Sequence, residues 1–260
     1  MVHHLPLTLI PLHFPVVGVG AELSSSVAEA LANEKATPKR GDIIAVASKV
    51  VSTCERRIVN LRDVRVSSTA KRIARKWKID QYLAAVVLSE ADETFGGVPG
   101  FLLTLREGIL TPNAGVDLKN SPPGMATLWP LDPDRSAQRL RASLERRYKT
   151  RVGVEIVDSH VTPLRLGTVG LAIGVSGFLP VLDSRRRLDL FGRPIRVTRT
   201  NVADDLAAMA HLLMGEAAER VGAVLIRGAP VTLNSSGRSK PAKLNREKCL
   251  IGNSLYKVRS

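Results

Sequence analysis

Residues 154–174 read VEIVDSHVTPLRLGTVGLAIG, and the reading of this stretch decides the architecture. Val154, Ile156 and Val157 form a short apolar run around Glu155, the pattern of a strand buried inside a sheet. The run ends in a polar knot, Asp158-Ser159-His160, and a second apolar run follows with glycines at 167, 170, 174 and 177. A carboxylate and a hydroxyl at the end of a buried strand cap a helix, hold a metal ion or begin a nucleophilic reaction. The last use is disfavoured. Neighbours on an extended strand point to opposite faces, so Ser159 faces away from both Asp158 and His160, and the chain has no G-x-S-x-G elbow.

Working outward, LTLIPLHFPVV (residues 7–17) reads as a strand interrupted by prolines, leading to an amphipathic helix over Ala21–Ala32. DIIAVASKVV (42–51) and VGAVLIRG (221–228) read as buried strands, and residues 69–91 as two helices. Residues 100–117 form a hairpin turning at Glu107-Gly108. The clearest helix begins near DPDRSAQRLR, with Asp134 as its N-cap after Pro133. Another follows in ADDLAAMAHLLMGEAAER, with Leu206, Met209, Ala210, Leu213 and Met214 along one stripe. These elements predict an α/β fold of mixed sheets with helices, one domain over residues 1–233. From Asn234 the chain turns polar and basic, so 234–260 reads as a C-terminal tail or loop with a weak final element. With no G-x-G-x-x-G and no G-x-x-x-x-G-K-[ST], the fold is neither Rossmann nor P-loop.

The net charge of +14 reads first as an Arg-rich solvated surface; beyond that it draws anions, phosphate-bearing small molecules ahead of nucleic acid or an acidic membrane surface. No RNP-type aromatic strand or zinc-finger spacing supports nucleic acid. Cys54 and Cys249 stand far apart and outside any C-x-x-C, which fits a reducing, cytoplasmic setting. The first twenty residues carry no Lys or Arg and are broken by Pro6, Pro11 and Pro15, so they read as neither signal peptide nor membrane span. Asp117 follows the tight NAGV loop and Asp158 ends its strand; Glu216 follows Met214-Gly215 at a helix end. Converging carboxylates make a hard-oxygen site suited to Mg²⁺ or Mn²⁺ and to phosphoryl chemistry.

The ordered blocks GDIIAVASKVVS, TPNAGVD with Asn120, PLDPDRSAQRLR, VGVEIVDS, GLAIGVSG, DLFGRP and VADDLAAMAHLLMGEA…VGAVLIRG resemble the coenzyme F420-0:γ-glutamyl ligase family. The resemblance covers about residues 8–230. It implies a homodimeric ligase that uses GTP and two divalent ions, Mn²⁺ or Mg²⁺, to join L-glutamate to F420-0 through an acyl phosphate. Position by position, it implies Asp117 and Asp158 as ligands of one ion, and Ser159 with Glu216 as ligands of a second. Nucleotide contacts fall on Phe14, Pro15, Val16, Val17, Ser48, Lys49, Thr53 and Asn120. They continue through Met214, Gly215, Glu216, Ala217, Ala218, Glu219, Arg220 and Val221. Asp158, Ser159 and Arg165 take the catalytic positions. The chain departs from the family where Val161 and Thr162 replace a Gly and an Arg, and where Thr53 replaces a Lys; Pro163 and Arg165 are kept. Lost cations in a polyanion site point either to the named ligase with replacement charge from Arg185, Arg186 and Arg187, or to a paralogue with another carboxylate acceptor. A non-catalytic nucleotide- or RNA-binding relative is the third reading.

Overall fold

The computed structural model describes residues 6–257; the ends of the expected domain and tail, residues 1–5 and 258–260, lie outside the described residues. In chain order the strands are β1 (Thr8–His13), β2 (Ile43–Ala47), β3 (Ile58–Asn60), β4 (Glu93–Val98), β5 (Phe101–Arg106) and β6 (Ile109–Pro112). They continue as β7 (Met125–Thr127), β8 (Gly153–Val161), β9 (Thr168–Ser176), β10 (Val181–Asp183), β11 (Arg199–Asn201) and β12 (Val221–Arg227). The α-helices are α1 (Leu23–Asn33), α2 (Ser48–Cys54), α3 (Ser68–Trp77), α4 (Gln81–Glu90), α5 (Pro133–Tyr148), α6 (Val202–Met214) and α7 (Leu250–Lys257).

A five-stranded sheet in the order β1-β12-β2-β8-β9 organises the molecule. Its β2–β8 pair is parallel and its other pairs are antiparallel. Helices cover both faces. Leu31 of α1 and Leu140 and Leu144 of α5 pack with Ile44, Val46, Val154 and Ile156 on one side. Leu206, Ala207 and Ala210 of α6 pack with Ile43, Ala45, Val157 and Val224 on the other. Burial on both faces explains why β2 and β12 are continuous apolar runs rather than alternating ones. A second lobe, with its own apolar cluster, is built on α3, α4 and Leu102 of the β4-β5-β6 sheet. The mixed α/β architecture expected from the sequence is the one observed.

Three local expectations are corrected. The strand expected over 42–51 stops at Ala47, and Ser48 opens α2; the small polar Ser48 and Lys49 end the fully apolar stretch the sheet interior demands. The strand expected to end at Asp158 runs to Val161, because β9 pairs with it as far as Val161↔Thr168 after β2 has stopped. Asp158, Ser159 and His160 are therefore strand residues and not a loop. The N-cap of α5 is Asp132, whose carboxylate accepts the Arg135 N–H at 2.9 Å. Pro133 has no N–H and a helical φ, so it suits the first helical turn and leaves the capping to the residue before it. Asp134 instead accepts Val175 N at 2.8 Å and both Ser239 N and Ser239 Oγ at 3.0 Å, tying the segment after Leu233 to α5 and β9. The expected hairpin is present, with Glu107 (φ 48°) and Gly108 (φ 76°) both left-handed as a two-residue turn requires. Among the described residues, no helix is long and apolar enough to cross a membrane.

Glu155 lies in β8 at 0% exposure, and neither carboxylate oxygen has a hydrogen-bond partner among the described residues. Burial first, then the nearby Asp204 charge, raises its pKa well above 4.5. The folded state therefore keeps a proton that the unfolded chain releases, and stability falls as pH rises from 4.5 toward the folded value. Glu155→Gln should flatten this dependence: a melting midpoint a few degrees above wild type at pH 8, at about 2–4 °C per kcal/mol. At pH 4 the two should coincide. Calorimetry at both pH values checks it.

Candidate active site

Parallel pairing of β2 with β8 ends at Ala47↔Val157, so Asp158 is the first β8 residue beyond the end of β2. A cleft of about 650 Å³ opens at that step. The expected residues in its walls come from five places: Phe14, Pro15, Val16 and Val17 after β1; Ser48, Lys49 and Thr53 of α2; Asp117 and Asn120; Asp158 and Ser159 of β8; and the end of α6 with the segment after it. Met214, Gly215, Glu216, Ala217, Ala218, Arg220 and Val221 represent that last segment. Two expected residues stand apart. Glu219 turns its carboxylate back to the Ala217 N–H at 2.8 Å, and Arg165 sits in the exposed β8–β9 loop; neither lines the cleft. Arg185 is bound to Asp183, and none of Arg185, Arg186 and Arg187 borders the cleft.

The chain reaches Asp117 through three successive left-handed residues, Asn113 (φ 50°), Ala114 (φ 54°) and Gly115 (φ 72°), which swing it sharply away from β6. Asp117 then pairs with Thr127 through both backbone hydrogen bonds, at 2.9 and 2.8 Å. Its Oδ2 meets Lys49 Nζ at 2.7 Å, and the same ammonium donates to the Lys119 carbonyl. Gly215 (φ 69°) stops α6 so that Glu216 turns into the cleft. Burial would raise the Glu216 pKa, but hydrogen bonds from Lys119 Nζ (2.6 Å), His211 Nε2 and Thr168 Oγ1 (both 2.9 Å) outweigh it and pull the value down to about 2. The same bond to Glu216 raises the Lys119 pKa. Asn120 Nδ2 donates to the Ala217 carbonyl at 2.8 Å and joins the Asp117 loop to the end of α6.

Asp158 accepts Ser48 Oγ on one oxygen at 2.5 Å and Trp129 Nε1 on the other at 2.7 Å. Burial raises its pKa, against the lowering pull of those two hydrogen bonds. Trp129 is in turn held by the Arg57 Nε–H, which donates to its carbonyl at 3.0 Å, and by the Arg106 guanidinium, 5.6 Å from its ring centroid. Both arginines converge on Glu90, at 2.6 and 2.7 Å. Thr53 spends its hydroxyl on the Lys49 carbonyl one turn back.

Among the described residues, no three His, Cys, Asp or Glu side chains gather closely enough to hold a cation by themselves. Each cleft carboxylate faces a protein donor instead: Lys49 at Asp117, Lys119 at Glu216, Ser48 and Trp129 at Asp158. The oxygens themselves are of the hard class that ions such as Mg²⁺ or Mn²⁺ take as ligands, and in this arrangement they are engaged by ammonium, hydroxyl and indole donors.

Sequence reading missed Lys119, Trp129, Thr168 and His211. Lys119 was accessible, since it stands between two expected residues, and His211 falls one turn before Gly215 on an expected helix. No spacing rule links Trp129 with Asp158, 29 residues on.

Residues 11–228 match the family model described as F420-0:Gamma-glutamyl ligase. The chain belongs to that family. Among its relatives is the Coenzyme F420:L-glutamate ligase of Methanothermobacter thermautotrophicus, 38% identical over 90% of this chain and 93% of the relative. Proteins of the same name from Methanopyrus kandleri and Methanocaldococcus jannaschii are each 40% identical, over 75% and 76% of this chain and 78% and 80% of theirs. Membership identifies the chain as a ligase.

The low Glu216 pKa is a consequence of its three donors, so Lys119→Met should move the Glu216 carboxyl titration upward from about 2 toward the ordinary range. Carbon-13 NMR of the side-chain carboxyl follows it directly. A titration unchanged by the substitution would show that the ion pair does not form in solution.

Proposed function

We propose that this chain is a GTP- and divalent-cation-dependent ligase that adds L-glutamate through its amine to coenzyme F420-0, forming the γ-linked amide by way of an acyl phosphate. The observation that carries the reading is the convergence of Asp117, Asp158, Ser159 and Glu216, from three separate parts of the chain, on a single cleft also lined by Lys49 and Lys119. The relatives' shared printed name supports the substrate pair.

Two divalent ions, Mn²⁺ or Mg²⁺, would be held by these four residues and would neutralise the triphosphate. The chain's own groups do the positioning. Phe14 to Val17, Met214 to Ala218, Arg220 and Val221 line the cleft, the apolar first group suited to the guanosine and the others to the phosphates. Lys49 and Lys119 carry positive charge at the carboxylates and on to the triphosphate. An oxygen of the acceptor carboxylate attacks the γ-phosphorus as the bond to the β-phosphate oxygen breaks and GDP leaves. The glutamate amine then attacks the acyl carbon, phosphate departs, and the amine loses a proton. Arg165, in the exposed loop beside this end of β8, supplies the acceptor-side cation on this reading.

One observation favours a paralogue acting on another carboxylate acceptor. The β8–β9 loop carries Leu164 and Leu166, both fully exposed, around its single cation. Apolar side chains standing free at an acceptor entrance suit a less polar partner than a phosphodiester. The exposed arm between β10 and β11, with Leu190 at 99% and Phe191 at 81% exposure, is the surface we take for homodimer contact. Free Cys54 and Cys249 accord with a cytoplasmic protein.

GTP with Mn²⁺ at about a hundred times the dissociation constant should stabilise the wild-type chain by about 2.7 kcal/mol. For a chain of this size that is a midpoint shift of several degrees, and Asp158→Asn should abolish it. Mass spectrometry of the acceptor, for a gain of one glutamyl residue, separates the named ligase from the paralogue. No shift in either protein would remove the GTP and metal reading. RNA retention that falls steeply with salt would then mark a nucleic-acid-binding relative.

A further inference from the structure

We propose that Trp129 is a positioning residue for this site: its indole N–H fixes the orientation of the Asp158 carboxylate and so tunes cation affinity from outside the ligand set. The inference rests on the proposed role of Asp158 as a metal ligand. Trp129 is 3% exposed and cannot serve as a ligand itself. Its Nε1 is a donor without acceptor capacity, so the 2.7 Å contact with Asp158 Oδ2 takes one lone pair of that oxygen and fixes the direction of the carboxylate. Ser48 Oγ holds the other oxygen, which leaves the carboxylate little freedom to rotate.

Trp129 is itself restrained from three sides, through its backbone and its ring. Arg57 binds its backbone carbonyl and Arg106 lies over its ring. On the third side is Gly115, where a Cβ atom would stand 2.2 Å from Trp129 Nε1. The indole edge therefore runs against the backbone of the turn that delivers Asp117, two residues later. One rigid side chain touches both the turn that carries Asp117 and the carboxylate of Asp158, and it sets the two acids relative to each other. Outer partners that hold a ligand carboxylate typically change metal affinity by about 10–100-fold when removed.

The test uses the full chain with Mn²⁺ alone, and then with GTP added. In a Trp77→Phe background Trp129 is the sole tryptophan, since the chain has two. Paramagnetic Mn²⁺ should quench its emission saturably over the range in which calorimetry shows binding. Trp129→Phe keeps most of the buried ring and removes the N–H; Mn²⁺ affinity should fall about tenfold or more. In an Asp158→Asn background the same substitution should have no further effect, which a merely structural loss would not predict. Undiminished Mn²⁺ binding by Trp129→Phe, or binding without quenching, overturns the inference while leaving Asp158 as a ligand. Failure of the wild-type chain to bind Mn²⁺ at all, with or without GTP, overturns the metal reading and the inference together.

Discussion

The parallel pairing of β2 with β8 is the constraint on which the rest depends. It is the one parallel contact in a sheet otherwise antiparallel, and it is flush at one end only: β2 stops at Ala47 and β8 continues four residues further, to Val161. Backbone groups left over at such a step need a new structure on the β2 side, and α2 supplies it by starting at Ser48. The cleft is thus a product of unequal strand lengths. Polar side chains gather there because apolar ones are not required beyond the end of the shorter strand.

Around that step the protein balances charge locally. Three carboxylates and two lysines are brought together from distant parts of the chain, and the pairing is close enough to move the Glu216 pKa to about 2. The donors come from α2, from the loops at Lys119 and Trp129, from β9 and from α6, so the electrostatics of the cleft tie together elements far apart in the chain.

Much of this was legible in the sequence, for a physical reason. Strands buried on both faces must be continuous apolar runs, and 43–47 and 221–226 are such runs, with 154–157 interrupted by Glu155 alone; α5 and α6 declare themselves through period and caps. The cleft walls were legible through ordered blocks that resemble a family, and nearly all of those positions line the cleft. What stayed hidden depends on a neighbour that no local pattern reports. Three of the last four residues of β8 are polar and look like loop, and a single partner strand, β9, keeps them extended. The strand β4, ETFGGV, is broken by a bulge between Thr94 and Gly96, and Gly97 packs where a Cβ would lie 2.2 Å from the Phe101 carbonyl. Arg165 and Glu219 were expected at the site by position, yet the backbone directs one to solvent and the other to its own turn.

The Glu90 cluster has a thermodynamic side. Arg57 and Arg106 share that carboxylate in the second lobe and reach from it to Trp129. Burial depresses the Arg106 pKa even with Glu90 beside it, so this charge is costly to leave unpaired. Local opening of α4 would strand both guanidinium groups and release the wall behind Asp158 at once. Breathing of the lobe and occupancy of the cleft therefore draw on one equilibrium: a ligand that needs Asp158 held still must also slow amide exchange in a helix it never touches.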